Sequence, residues 1–342
     1  MRQIDTMDST ESADHPVVVA KASAPDRFSV IVPVFNCKAQ LRACLDSLMA
    51  AVKKYGNAEV IAVDNGSTDG SYEILKTEYP DVTVRQYPEI SIAALRNRGV
   101  QAASGEYLTF IDADCVIFPE YFDQARATLR DSRVTATGSM CGVPESSTWV
   151  ERAWYALNSH SRNGLVKYVN SGNLVVRRQP FLAVGGFNET LTTGEDTELG
   201  QRLRGNGFSI FENHQVRAIH LRNSKTLGEF FRRHAWHGQG LMIASSASWL
   251  NKPLLMTCSH LLLVLAGIGQ MFLPHSNLAI RIACLVVALN LVPAVTYLYR
   301  SVANRRWSSP LAGIAIYQCY YAAKLYALLG FVSQRRSRTY HK

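Results

Sequence analysis

Between residues 28 and 111 short apolar runs alternate with stretches of helical amphipathicity. Residues 28–33, FSVIVP, form a β-branched run that stops at Pro33, as a first parallel strand should. Leu41, Cys44, Leu45, Leu48 and Val52 then recur at helical spacing and predict an amphipathic helix over 38–54. The same reading predicts strands at 59–63, 82–85 and 107–111, with helices over 71–78 and 92–103 between them. Alternating strand and helix is the signature of an α/β, doubly wound sheet, in which ligands sit outside the carboxyl ends of the strands. Beyond that point the alternation loosens. Residues 134–137 and 174–176 read as strands around an irregular helical patch containing Trp149, Trp154 and Tyr155. A short helix at 180–184 ends in Gly185-Gly186, a further helix covers 195–203, and 216–221 reads as a last strand.

From about residue 253 the composition shifts toward Leu, Ile, Val, Ala and Tyr. Residues 253–273 are long enough to cross a bilayer, with only His260 and Gln270 strongly polar; 278–299 is a second candidate, flawed by Arg281 and Pro293. Leu227, Phe230, Phe231 and His234 share one helical face beside Arg232 and Arg233, which fits a helix lying in a lipid interface or one packed on the preceding domain. The expected organisation is a disordered tail 1–26, an α/β domain 27–222, an interface helix or linker 223–252, membrane helices 253–333 and a basic tail 334–342. Residues 1–26 carry no apolar stretch of the kind a secretory signal needs. A net charge of +9 is concentrated in arginine clusters at 232–233, 300–306 and 335–338. Such clusters beside apolar segments suit anionic membrane lipids. The positive-inside rule puts Arg300, Arg305 and Arg306 in the cytoplasm, on the side of the α/β domain. The third apolar segment, 310–332, contains Lys324 and several tyrosines; if it spanned, the basic tail would end outside, so an interfacial or partly re-entrant helix is expected, with three spans as the alternative. No nucleic-acid-binding motif is present, so no nucleic-acid partner is expected. The 7 cysteines include no C-x-x-C pair and read as free thiols of a reducing compartment.

Three acidic sites stand at loop starts. Asp112-Ala113-Asp114 closes the apolar run 107–111, and carboxylates at i and i+2 of an extended chain share one side, where they can hold a hard cation such as Mg²⁺ or Mn²⁺. An Asp-x-Asp that only caps a turn is the other reading of that tripeptide. Asp64 opens the turn-forming sequence DNGSTDG, suited to a ribose or base contact or simply to an N-cap. Glu195-Asp196 begins a helix after Gly194, where the macrodipole favours acids with or without a catalytic duty. No G-x-G-x-x-G follows the first strand, which argues against a dinucleotide-binding oxidoreductase.

The combination narrows these alternatives. The order and spacing of VIVPVFN (30–36), VDNGSTDG (63–70), Arg96-Asn97-x-Gly99, SGEY (104–107), FIDAD (110–114), GGF (185–187) and GEDTEL (194–199) resemble glycosyltransferase family 2 over residues 28–222. The resemblance implies a GT-A fold and transfer of a sugar from a nucleotide diphosphate donor, such as a UDP- or GDP-sugar, with inversion. On matching positions, Pro33, Phe35 and Asp64 would hold the nucleoside, and Arg96 would lie near the base or diphosphate. Asp112 would face the ribose or sugar and share the metal with Asp114; His220 would approach that metal. Asp196 matches the catalytic base, with Glu195 as a neighbour and acceptor contact. The acceptor would be lipid-linked or a saccharide. Processive synthases of this family carry Q-x-x-R-W; here Gln201-Arg-Leu-Arg204 is followed by Gly205, which implies single-sugar addition. A catalytically silent membrane scaffold is the alternative from another class, and a sugar nucleotidyltransferase the alternative among enzymes.

Overall fold

The structure is a computed structural model that describes residues 24–191, 193–244, 252–273 and 277–339. The expected disordered tail 1–26 lies almost wholly outside the described residues, as do the last residues of the basic tail. The first half alternates as its hydrophobic pattern requires: β1 (Ala24–Val34), α1 (Lys38–Tyr55), β2 (Ala58–Asp64), α2 (Ser71–Glu78), β3 (Thr83–Gln86), α3 (Ile92–Ala102) and β4 (Gly105–Ile111). The segment that follows folds as β5 (Cys115–Ile117), α4 (Tyr121–Leu129), β6 (Val134–Gly138), α5 (Trp149–Asn158), β7 (Gly164–Leu165), β8 (Asn173–Arg177), α6 (Arg178–Ala183), α7 (Glu195–Gly205), β9 (Ser209–Glu212) and β10 (Ala218–His220).

One sheet runs in the order β3-β2-β1-β4-β8-β6-β9-β7. β1 to β4 are parallel to one another, while β8 is antiparallel to both β4 and β6. The sheet is therefore mixed, and β10 pairs with β5 in a separate antiparallel ribbon. Alternate residues of the central strands feed two cores. Val30, Val32 and Tyr107 face α1 and α4, whereas Ile31, Val63 and Phe110 face α3 and α7. The second face is tight: a Cβ on Gly99 of α3 would come within 2.4 Å of Ile31. Local signals set the helix ends, with Gly56 in the left-handed region after α1 and Ser91 accepting the Ala94 N–H before α3.

The C-terminal helices are α8 (Leu227–Ala244), α9 (Lys252–Gln270), α10 (Leu278–Asn304) and α11 (Pro310–Thr339). Among the described residues two helices, α9 and α10, are long and apolar enough to cross a membrane. They pack against each other through Gly267 and Ala288 and expose Leu262, Leu265, Val286, Val287 and Leu298 on their outer faces. α11 is packed differently. Its Ile316 joins Val150 and Ala153 of α5 and Phe230 of α8 in one buried cluster, and Tyr317 and Tyr321 join Leu157 and Val292 in another. Trp154 lies within this junction, 5.0 Å from Phe230 and 5.9 Å from Tyr320 between ring centroids. It is a packing residue at the join of three helices. The apolar face of α8 likewise covers α5 and α11, leaving Arg232 and Arg233 exposed. At the end of α10, Asn304 Nδ2 donates to the Leu157 carbonyl at 2.7 Å, which ties this end of the hairpin to the α/β domain.

Candidate active site

The carboxyl ends of β1, β2 and β4 converge with the start of α7. Asp64, the last residue of β2, is fully buried, and its Oδ2 accepts from Gly66 N, Ser67 N and Gln86 Nε2 at 2.9, 3.0 and 2.9 Å. Its Oδ1 is buried with no partner among the described residues. A carboxylate so held, with one oxygen free, has an acceptor left for a ligand donor. Pro33 is a buried strand residue in register with Val63, whereas Phe35 beyond it is 56% exposed and presents a ring at the mouth. Asn36, at φ 46°, is pinned by its Oδ1 accepting Thr68 N, so the loop after β1 is bound to the loop after β2.

Asp112-Ala113-Asp114 is not extended. Strand β4 ends at Ile111, and the Cys115 N–H donates to the Asp112 carbonyl at 2.9 Å, closing a turn. The shared side that a strand would give to positions i and i+2 is thereby lost, and the two carboxylates have different partners. Asp112 Oδ1 accepts Arg96 Nη2 at 2.8 Å, and Arg96 Nη1 donates to Glu195 Oε1 at 2.7 Å. Arg96 is 3% exposed and stacks on Phe187 at 5.6 Å. Asp112 also backs onto Gly172, where a Cβ would lie 2.6 Å from its Oδ2. Asp114 instead faces His220, with Oδ1 3.4 Å from Nε2. Burial raises the Asp114 carboxyl and lowers the His220 imidazole.

Asp114, Cys115 and His220 place ligand atoms within 4.8 Å of one another. The donor chemistry decides which of them suit a cation. A hydrogen bond with Cys141, together with burial, pushes the Cys115 thiol well above its ordinary range, and a soft sulfur is a poor ligand for a hard cation. A carboxylate oxygen and an imidazole nitrogen remain, a set that fits Mn²⁺ or Mg²⁺. Asp112, expected to share that ion, is engaged by Arg96 at one oxygen and lies outside this cluster.

Asp196 is the second residue of α7, whose cap Gly194 has a left-handed φ of 83°. Its Oδ1 accepts the Thr197 N–H at 2.6 Å. Burial, with the charge of Glu195 beside it, raises the Asp196 carboxyl to about 6. Glu195 has one carboxylate oxygen, Oε1, committed within the protein. It is buried, and the oxygen that binds Arg96 also accepts Ser171 Oγ at 3.3 Å. Arg96 therefore joins the two acidic loops, one ending in Asp114 and the other carrying Asp196.

Several neighbours escape a reading of the sequence. Ser171 and Gly172 carry no spacing signal. His237 of α8 is half-buried and its Nδ1 lies 3.0 Å from Thr193 Oγ1, beside the start of α7. Burial, with Arg233 and Lys324 nearby, lowers its imidazole to about 4, so the ring is neutral near pH 7.

Comparison with known proteins follows the same outline. The family model described as glycosyl transferase family 2 matches residues 29–184, and that of glycosyl transferase family group 2 matches residues 107–302, over half of the chain. Glycosyltransferase AglE of Haloferax volcanii is 28% identical over 221 residues, covering 62% of this chain and 72% of that protein. The succinoglycan biosynthesis protein ExoA of Rhizobium meliloti is 29% identical over 229 residues, covering 62% and 68%. Among solved structures, the mannosyltransferase PcManGT from Pyrobaculum calidifontis, in complex with GDP-Man and Mn²⁺, superposes with a TM-score of 0.57 at 18% identity, over 91% of this chain and 87% of that one. At that identity the likeness is one of fold, the GT-A arrangement.

Proposed function

The chain belongs to glycosyl transferase family 2, and from that premise we propose that it transfers one sugar per encounter, with inversion, from a UDP- or GDP-sugar to a hydroxyl of a lipid-linked or saccharide acceptor. It is a glycosyltransferase, and its relatives place it in glycan biosynthesis. The observation that carries the finer reading is the Arg96 bridge. By binding Asp112 and Glu195 at once, it sets Asp114 and Asp196 at the two ends of one buried ion-paired unit.

Inverting transfer needs a base on the acceptor side and charge stabilisation on the donor side. Asp196 takes the proton of the acceptor hydroxyl as its oxygen attacks the anomeric carbon. The bond from that carbon to the diphosphate oxygen breaks, and its electron pair leaves with the nucleoside diphosphate. A carboxyl titrating at about 6 is ionised near neutral pH yet more basic than an ordinary aspartate, the compromise a general base requires. Asp114 and His220 would hold a Mn²⁺ or Mg²⁺ ion, which supplies positive charge against the diphosphate oxygens as they depart. Phe35 and the free oxygen of Asp64 hold the nucleoside. Asp112, oriented by Arg96, faces the ribose or sugar.

A site at the cytoplasmic face of a membrane is supported by the join between Asn304 and Leu157 and by the contact of Arg306 with the Tyr155 ring, 5.5 Å from its centroid. The arginines following α10 and the α/β domain stand on the same side of the hairpin, as the positive-inside rule asks of a cytoplasmic domain. The test uses the purified full chain with a panel of UDP- and GDP-sugars and Mn²⁺ or Mg²⁺, with and without membrane extract. Metal-dependent transfer giving the inverted anomer, read by NMR, is expected. Absence of any donor binding would instead mark a catalytically silent membrane scaffold.

A further inference from the structure

Two arginines, Arg222 and Arg233, stand beside the Asp114–His220 pair. Arg222 follows β10: its N–H donates to His220 Nδ1 at 3.2 Å, and the N–H of the preceding Leu221 donates to the Asp114 carbonyl at 2.8 Å. The backbone that carries Arg222 is thus fastened to both candidate metal ligands. Arg233 comes from α8, and its Nη1 donates to the Arg222 carbonyl at 3.4 Å. The charge of Arg233 reaches both Asp114 and His220. That of Arg222 reaches His220 on one side and Cys37, in the loop after β1, on the other. The geometry therefore fixes the Arg222 backbone beside His220 and brings the Arg233 guanidinium to it.

Arg222 and Arg233 are exposed residues, and among the described residues neither forms an ion pair with a carboxylate. Arg42, Arg126, Arg133 and Arg202 each have one. Two cations set beside a pair that suits a divalent cation repel it and each other unless an anion comes between them. The anion must be multiply charged and offer oxygens to the metal side and to the guanidinium forks together. A diphosphate does so, and arginine binds phosphoryl oxygens in the bidentate manner that lysine does not.

We propose that Arg222 and Arg233 grip the β-phosphate of the nucleoside diphosphate, so that α8 completes the donor site. The assignment rests on the glycosyltransferase reading above. It has a structural corollary: the same helix that packs on α11 and α5 contributes to holding the leaving group. Membrane seating and donor binding are then mechanically joined.

The test compares the wild-type full chain in detergent with Arg233→Ala, Arg222→Ala and Arg233→Lys, using calorimetry with Mn²⁺ alone and with GDP, UDP, GMP and UMP in its presence. Loss of a charge-assisted contact should weaken the diphosphates about ten- to hundredfold in either Ala variant. The monophosphates, which lack the β-phosphate, should change by less than about twofold. Mn²⁺ alone should bind as well or more tightly, because a repelling cation has gone; a folding defect would weaken all three. Arg233→Lys should recover part of the diphosphate affinity. Unchanged diphosphate affinity, or equal loss for di- and monophosphates, overturns the arginine assignment while leaving the donor reading standing. A wild-type chain that binds no nucleotide overturns the donor reading itself.

Discussion

Replacing Asp196 by Asn should stabilise the protein at neutral pH while abolishing transfer. The carboxyl is raised from 3.8 to about 6 by burial and by the neighbouring charge of Glu195. Between these values the folded state keeps the proton that the unfolded chain has released, so stability falls as pH rises, and the loss is complete above about 6. Roughly two units at about 1.4 kcal/mol each set an upper limit near 3 kcal/mol. Water at the partly exposed edge of the site brings this to on the order of 1–2 kcal/mol. Asparagine cannot ionise and escapes the cost, and its Oδ1 still accepts the Thr197 N–H. Thermal unfolding of both proteins in one detergent should therefore show an advantage for Asp196→Asn that is small near pH 4.5 and grows to about 2–6 °C near pH 7.5. Sugar transfer should fall at least 10²- to 10⁴-fold with donor affinity unchanged, and the wild-type rate should rise with pH through about 6 and then level. A difference in melting temperature that ignores pH would refute the account of a strained carboxylate. Normal turnover by the variant would remove Asp196 as the base.

Other substitutions probe the remaining parts. Arg96→Leu leaves Asp112 and Glu195 facing each other without their shared cation, and breaking a buried pair this way costs about 3–5 kcal/mol; thermal unfolding should show a severe loss, with Arg96→Lys intermediate. Equal stability of Arg96→Leu and wild type would mean that the bridge carries little. Gly172→Ala puts a methyl 2.6 Å from Asp112 Oδ2 and should displace that carboxylate. Transfer should fall roughly 10- to 100-fold with little change in melting temperature, and an unaffected rate would show that Asp112 needs no fixed position. Asp114→Ala should abolish Mn²⁺ binding measured by electron paramagnetic resonance, whereas retained tight binding would place the ion elsewhere.

The parallel half of the sheet was readable because β1, β2 and β4 are buried on both faces and carry continuous apolar runs between helices of clear 3.6-residue period. The second half gave weaker signals for physical reasons. β9, Ser209–Glu212, alternates half-buried and buried positions over too few residues to stand out, and β7 is 2 residues long. β5 and β10 are 3-residue strands that exist through pairing with each other across a long stretch of chain. The antiparallel insertion of β8 between β4 and β6 is set by tertiary packing, and nothing in Asn173–Arg177 alone specifies its neighbours. The partners of Trp154 were similarly unreadable, since they come from α8 and α11.

At the site, each acidic residue was visible singly, but their partnership was not. Asp112 and Asp114 look equivalent in the sequence, yet one turn sends the first to Arg96 and the second to His220. The Arg96–Glu195 bond joins residues 99 positions apart and leaves no periodic trace. The charge balance that results explains more than the motifs do. Asp112 and Glu195 share one buried guanidinium, with Asp114 beside the first and Asp196 beside the second, so the inner side of the site carries excess negative charge. Arg222 and Arg233 give the outer side an excess of positive charge. On the proposed reading, a cation bound at Asp114 and His220 relieves the first, and a diphosphate lying between that cation and the arginines relieves the second. Reversing the donor would bring its diphosphate against Asp196 and leave both excesses in place, so the field itself selects the orientation in which the anomeric carbon faces the base.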